Sequence, residues 1–269
     1  MLEIIPITAL KDNYIWLLEN KINRHAVIID PSEHEPVLEF IKIRGLIPIA
    51  ILITHHHWDH VGGIAGLINE FSIPVYTPKN EAVRGSTNPV SEGDIINLSE
   101  LGLNIRILDV PGHTSGAIAY YTEKMLFSGD TLFTAGGGRL FEGSPAEMYQ
   151  SLSKIKKLSD DVLVYCGHEY TVSNLEFAST VEKNNKSIQK RLSMALQTRK
   201  MGQPTVPTSL EIEKQTNPFL RCEEESVINA ASKRAGRILD NPVEVFATIR
   251  SWKDSINNRT FQSRLNIKN

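Results

Sequence analysis

The chain has 269 residues, 41% of them hydrophobic, which is enough to bury a substantial core and excludes disorder along the whole length. Lys plus Arg number 29 against 31 Asp plus Glu, and this net charge of −2 disfavours a nucleic acid as the main partner. No apolar run approaches the ~20 residues that span a bilayer, the start lacks the pattern of an export signal, and two cysteines, Cys166 and Cys222, are too few for a disulfide framework, so a cytoplasmic protein is expected.

In chain order, short apolar runs separated by turn residues predict strands over Glu3–Leu10, Tyr14–Leu18, Ala26–Ile29, Ala50–Ile53, Pro74–Tyr76, Ile105–Val110, Ala117–Tyr121, Lys124–Phe127 and Val162–Cys166. Helical stretches interleave at Pro36–Arg44, through Val37, Leu38 and Ile41, and at Ala146–Leu158, through Met148, Leu152 and Ile155. Strands with sparse helices point to a layered α/β architecture. Beyond Tyr170 the texture changes. Ile188, Leu192 and Leu196 recur at helical spacing, as do Val227, Ala230, Ala231 and Ala235. Asn241 and Pro242 read as an N-cap and first helical residue, ahead of an apolar face of Val243, Phe246, Ile249, Trp252 and Ile256. Gln203–Ser209 reads as a loop. A boundary falls near 168–174, giving a domain over 1–170 and a helical domain over 171–269.

The strongest chemical signal is His55-His56-His57-Trp58-Asp59-His60, directly after an apolar run. Its His-x-His-x-Asp-His pattern puts imidazoles and a carboxylate at a strand's end, a donor set suited to zinc, iron or manganese and unneeded for packing. His113, Asp130 and His168 each follow another apolar run, and each is preceded by a glycine that lets the chain turn tightly. Together these are five histidines and two aspartates. One tetrahedral ion needs about four ligands, so the set is in surplus for one metal, whereas two metals sharing a carboxylate use it all. His56, between two ligand candidates, is expected to point away from them on extended backbone. Cys166 reads as core, and Trp58 as packed beside the histidine-rich loop.

On Thr54–His60, Gly129-Asp130-Thr131-Leu132-Phe133, Gly167-His168-Glu169-Tyr170-Thr171 and Thr216-Asn217-Pro218-Phe219-Leu220-Arg221, the sequence resembles the metallo-β-lactamase superfamily and, within it, the hydroxyacylglutathione hydrolases (glyoxalase II), nearly from end to end. The resemblance implies an αββα sandwich followed by a smaller all-helical C-terminal domain. It implies that His55, His57 and His113 hold one divalent ion and Asp59, His60 and His168 a second, with Asp130 bridging. Zinc is the first expectation for both ions; iron and manganese also suit the donors. Hydroxide generated between the ions would attack a glutathione thioester, oriented by Asp59. Arg139, Phe141, Tyr170, Arg250 and Lys253 match the family's glutathione-binding positions. Many members carry lysine and tyrosine at the first two, so Arg139 keeps the cation with altered geometry and Phe141 offers a packing surface without a hydroxyl. The implied product is a 2-hydroxy acid, D-lactate when the acyl group is lactoyl, and the expected enzyme is a monomer with no nucleic-acid or membrane partner. The competing reading is a mononuclear-iron persulfide dioxygenase on the same scaffold.

Overall fold

The computed structural model describes the backbone of residues 1–266 and the side chains of residues 1–256. Strands β1 (Leu2–Ala9), β2 (Asn13–Asn20), β3 (His25–Ile29), β4 (Ile47–Leu52), β5 (Val75–Pro78) and β6 (Asn88–Val90) form one sheet in sequential order. β1 to β3 are antiparallel neighbours, and β3 to β6 run parallel. The parallel steps need crossovers. The first two are α1 (Glu35–Arg44), closed by the left-handed Gly45, and the pair α2 (Trp58–Val61) and α3 (Ile64–Glu70), whereas β5 reaches β6 through a helix-free loop over 79–87.

The second sheet contains β7 (Ile95–Leu98), β8 (Leu103–Asp109), β9 (Ile118–Tyr121) and β10 (Met125–Gly129). After the small hairpin β11 (Leu132–Phe133) and β12 (Gly136–Gly137), α4 (Pro145–Lys156) crosses over to β13 (Leu163–Cys166), which lies parallel to β10. Ser144 and Glu147 form a reciprocal capping box at the start of α4. The C-terminal region carries α5 (Thr171–Val181), α6 (Lys186–Lys200), α7 (Leu210–Thr216), α8 (Glu225–Ala235) and α9 (Pro242–Asn266). One piece of it is not helical. Thr208–Ser209, inside the segment expected to be a loop, forms β14 and extends the second sheet against β13.

Period-two alternation distributes the core. Tyr14, Trp16 and Leu18 of β2 face Ile105, Ile107, Tyr120 and Phe127 across the sheet-to-sheet interior, while Ile15 and Leu17 face outward under α1 and α3 with Val37, Ile41 and Leu67. The outer face of the second sheet, Ala119, Leu126 and Val164, is covered by Met148 and Leu152 of α4, Phe177 of α5 and Phe246 of α9. Helices therefore cover both outer faces of a two-sheet sandwich. The structure adds what weak patterns hid: the short β6 and β7, the one-turn α2, and α3, α5 and α7. β6 has Pro89 at its centre and sits at the sheet's edge, where the missing N–H is tolerated.

Phe246 is fully buried, with its ring 5.5 Å from Phe219 and 6.4 Å from Tyr149. Phe246→Ala is expected to cost about 3–5 kcal/mol through lost burial and an unfilled cavity, measured as a lowered urea midpoint with an unchanged slope.

Candidate metal centre

All the candidate ligands sit where strands end. His55 and His57 follow β4, His113 follows β8, Asp130 follows β10 and His168 follows β13. Asp59 and His60 differ from the expected loop placement: they lie on the single turn of α2, which His57 precedes as N-cap. The two sheets are stitched beneath the site. The Tyr120 hydroxyl donates to Ile53 O at 2.8 Å and accepts from Ile53 N at 3.1 Å, and Ile118 N donates to Thr54 O at 2.9 Å.

The side chains converge as two clusters. His57 Nδ1 lies 3.2 Å from His55 Nε2 and 3.0 Å from His113 Nε2. His168 Nε2 and His60 Nε2 lie 3.5 and 4.0 Å from Asp59 Oδ2. Asp130 stands between them, with Oδ1 3.3 Å from His60 Nε2, and Oδ2 3.4 Å from His113 Nε2 and 3.3 Å from His168 Nε2. Oxygen atoms hold the outer ring nitrogens: Thr54 Oγ1 for His55 at 3.0 Å, Asp30 for His60 at 3.0 Å, Arg139 O for His113 at 2.7 Å and Asp12 for His168 at 2.9 Å. This leaves the opposite nitrogens aimed inward, the arrangement metal-binding histidines adopt.

Three observations say that the residues fit divalent cations. Inward-facing imidazole nitrogens 3.0–3.2 Å apart cannot all be satisfied by the few hydrogens available between them. His60 Nε2 and Asp130 Oδ1 are buried without a hydrogen-bond partner. A Cβ on Gly167 would come within 2.5 Å of Asp130 Oδ1 and 2.7 Å of His60 Cε1, so the backbone itself leaves room for the donors.

The electrostatics divide the site in two. Burial, aided by neighbouring imidazoles, holds His55 well below its ordinary range, and burial likewise lowers His57 and His113. These three present neutral lone pairs. Burial opposes the charge on His60 as well, but the Asp130 and Asp30 carboxylates outweigh it and raise His60 well above its ordinary value. In the same way Asp130 and Asp12 push His168 up to about 9 against its burial. Burial penalises an ionised Asp130 too, yet His168 and His60 keep its carboxyl well below the carboxylate range. Positive charge is thus demanded around Asp130, and protons on His60 and His168 meet that demand where a cation could.

Four of the five candidate substrate residues line one cavity of about 110 Å³: Arg139, Tyr170, Arg250 and Lys253, with Phe133 and Asn174. Tyr170 stacks on His168 with centroids 4.8 Å apart, joining this cavity to the second cluster. Arg250, nearly buried, donates to Gly137 O at 2.8 Å and pairs with Asp254 at 2.8 Å. Lys253 donates to Ser173 O at 2.8 Å, and burial, reinforced by Arg250, pushes its amine down to about 8. Phe141 lies apart from this cavity. It is 59% exposed, its ring edge-on to His57 and His113 at 5.3 Å from each, with the Arg139 guanidinium 5.2 Å above it.

His56 turns away from the cluster toward Glu81 and Glu142. Trp58 is 70% exposed and does not pack beside the loop, because as the first residue of α2 it projects to solvent. Cys166 is buried, and burial pushes its thiol up to about 12, which removes it as a nucleophile. Sequence reading missed the outer carboxylates. Asp30 accepts from Thr54 N at 2.8 Å, Thr54 Oγ1 at 2.6 Å and His60, and Asn13 Nδ2 donates to Asp59 O at 3.0 Å and to Asp59 Oδ2 at 3.2 Å. The Lys11-Asp12-Asn13 turn beside the Tyr14 strand start was the available signal, since turn residues with no ligand-type spacing still bring polar side chains to a strand's end.

A two-sheet sandwich with this donor set at its strand ends defines the metallo-β-lactamase class, and residues 10–168 match the metallo-β-lactamase superfamily model. Residues 169–256 match the model of the hydroxyacylglutathione hydrolase C-terminus. The hydroxyacylglutathione hydrolase of Nitrosomonas eutropha is 50% identical over 255 residues, which is 95% of this chain and 99% of that one. That of Nitrosomonas europaea is 47% identical over 260 residues, 97% and 98% of the respective chains. Among solved structures, TTHA1623 in a di-iron-bound form is similar at 28% identity and a TM-score of 0.56, covering 81% of this chain and all of its own. The chain belongs to the hydroxyacylglutathione hydrolase family.

Gly167→Ala would drive a methyl group into Asp130 and His60. Purified variant protein is expected to retain well under half the divalent metal of the parent chain by elemental analysis, with little change in far-UV circular dichroism.

Proposed function

We propose that this chain hydrolyses S-(2-hydroxyacyl)glutathione, with S-D-lactoylglutathione the typical substrate, to a 2-hydroxy acid and glutathione, the second step of methylglyoxal detoxification. The observation that carries the reading is the Asp130 carboxylate, within 3.3–3.4 Å of His60, His113 and His168 and so common to both clusters. Two divalent cations are the cofactors, with His55, His57 and His113 holding one, Asp59, His60 and His168 the other, and Asp130 both. Zinc suits this imidazole-rich set best, and iron or manganese would be accepted by the same donors. The di-iron form of the similar TTHA1623 supports two ions.

When bound, such a pair of cations makes hydroxide available at neutral pH and polarises a carbonyl. The chain's own residues do the rest. Asp59, its carboxylate fixed by the Asn13 amide, orients the attacking water toward the thioester carbon. The leaving thiolate, whose conjugate acid has a pKa of roughly 8.5 by analogy with cysteine, departs without a strong general acid. Arg139, Tyr170, Arg250 and Lys253 bind the glutathione moiety in the cavity beside His168, and Phe141 packs against it from the His57 side. Within that set Arg250 already serves Asp254 and the Gly137 carbonyl, whereas Lys253 meets only the neutral Ser173 carbonyl and the Phe177 ring, so Lys253, together with Arg139, is the anion receptor. The match of residues 169–256 to the hydrolase C-terminus favours hydrolysis over persulfide oxidation.

A cytoplasmic monomer acting on a small molecule, not on nucleic acid or a membrane, completes the reading. The charge balance supports the exclusion of nucleic acid and the cysteine usage supports the cytoplasm; no helix among the described residues is long and apolar enough to cross a membrane.

The deciding experiment follows loss of thioester absorbance from S-D-lactoylglutathione together with dissolved oxygen. Hydrolysis without oxygen uptake is expected; oxygen consumption with glutathione persulfide in its place would overturn the assignment. Lys253→Gln is expected to raise KM at least tenfold while kcat falls less than threefold, as removal of uniform binding requires. Because burial lowers the Lys253 amine to about 8, its charged form binds the substrate carboxylate below that pH and is lost above it. KM should therefore stay flat below pH 8 and climb above it, and Lys253→Arg, which keeps its charge, should flatten the climb.

A further inference from the structure

His56 is the histidine of the metal-binding run that takes no place at the metals, and its surroundings are unusually well organised. Its Nδ1 lies 2.9 Å from Glu81 Oε2 and its Nε2 3.1 Å from Glu142 Oε1, so one imidazole sits between two carboxylates. The His56 backbone N–H also donates to Glu81 Oε2, at 2.5 Å. The Glu81 side chain is 1% exposed, and its other oxygen accepts from the Thr114 hydroxyl and, at 3.2 Å, from Gly116 N. Glu142 accepts from Ser115 N at 2.9 Å with its other oxygen. Among the described residues no lysine or arginine pairs with either glutamate. A carboxylate this buried is costly unless it is well bonded, and for Glu81 the His56 ring and backbone N–H, the Thr114 hydroxyl and Gly116 N supply those bonds, while the same ring reaches Glu142.

These bonds have one topological result. Segment 113–116, which starts with the ligand candidate His113, is gripped by Glu81 from one side and Glu142 from the other, and both grips close on His56, the residue between His55 and His57. The Phe141 N–H donates to His113 O at 3.2 Å, so the segment carrying Arg139 and Phe141 belongs to the same assembly.

We propose that the Glu81–His56–Glu142 clasp is a positioning device that holds the two loops of the first metal site in register and seats Phe141 over them. His56 touches neither metal nor substrate in this scheme. It acts through His55, His57 and His113, and the proposal rests on their assignment as ligands of one ion.

The test is zinc affinity, read by competition with a chromophoric chelator on the full chain, with steady-state kinetics alongside. His56→Ala is expected to weaken one of the two zinc equivalents by roughly 10–100-fold, the usual effect of losing a partner that orients metal ligands. His56→Arg, whose planar fork can donate to both carboxylates, should recover most of that loss. Glu142→Gln, at a partly exposed position where folding is not at stake, should weaken the same equivalent roughly tenfold and raise KM. Unchanged zinc affinity in both His56→Ala and Glu142→Gln overturns the proposal, and so does a His56→Arg variant as weak as His56→Ala. His56, His57 and Glu142 also lie within 4.8 Å of one another. A third zinc equivalent that disappears in Glu142→Gln would make them a ligand set and the clasp wrong. His113→Ala separates this from the underlying assignment. If it leaves both equivalents in place, the ligand assignment fails; if it removes one while the His56 variants bind like the parent, the clasp alone fails.

Discussion

The structure depends on a conflict that the polypeptide cannot resolve with its own atoms. Imidazole nitrogens of His55, His57 and His113 crowd together as neutral acceptors, while Asp130, ionised and buried, keeps one carboxylate oxygen without a hydrogen-bond partner. Every neighbouring element tightens this crowding instead of relieving it. Oxygen atoms from Thr54, Asp30, Arg139 and Asp12 occupy the outer ring nitrogens and so prevent the histidines from turning away. An arrangement of this kind is stable in a folded chain when a cation resolves it, and metal binding then becomes part of the folding free energy.

The sandwich makes that crowding possible. Strands of both sheets deliver their ends to one edge, so residues distant in sequence meet without long loops, as ligands do at the carboxyl ends of strands in open α/β sheets. Glycines supply the clearance. Gly129 at φ +49°, with Thr54 Oγ1 2.4 Å from where a Cβ would lie, lets β10 turn into Asp130, and Gly138 passes so close to Asp130 O that a Cβ would lie 1.9 Å from it.

Legibility in the sequence followed the range of each interaction. The histidine-rich run declares itself because its donors are neighbours, and His113, Asp130 and His168 could be grouped with it because each follows a buried strand and a glycine. The boundary expected near 168–174 rests on a change from period two to period 3.6. Asp12, Asp30 and Glu81 were not legible: a single acidic residue in a turn looks the same whether it faces solvent or the back of a histidine 25–156 positions away. Short edge strands such as Asn88–Val90 and the one-turn helix at Trp58 were hidden because three or four residues cannot display a period. Trp58 was misjudged for a related reason, since hydrophobicity alone does not tell a buried ring from one at the exposed start of a helix.

The helical region is more than a substrate cover appended to a metal site. Asn217 donates to Phe133 O at 3.2 Å and Gly136 O at 2.9 Å, Glu213 accepts from Ala135 N at 2.8 Å, and Arg250 holds Gly137 O. These bonds fix the segment from Leu132 to Gly138, which leaves Asp130 at one end and reaches Arg139 at the other. Arg139 in turn offers its carbonyl to His113. A chain of direct contacts thus runs from the helices, through a glycine-rich hairpin, to the carboxylate shared by both clusters and to His113 of the first. Ala135 within it has φ +53°, a conformation that costs a non-glycine residue energy and persists because Glu213 and Asn217 impose it. The candidate substrate cavity and the candidate metal centre are therefore parts of one mechanical unit, and a change in the helical region that loosens the hairpin acts on Asp130 as directly as a change within the histidine clusters.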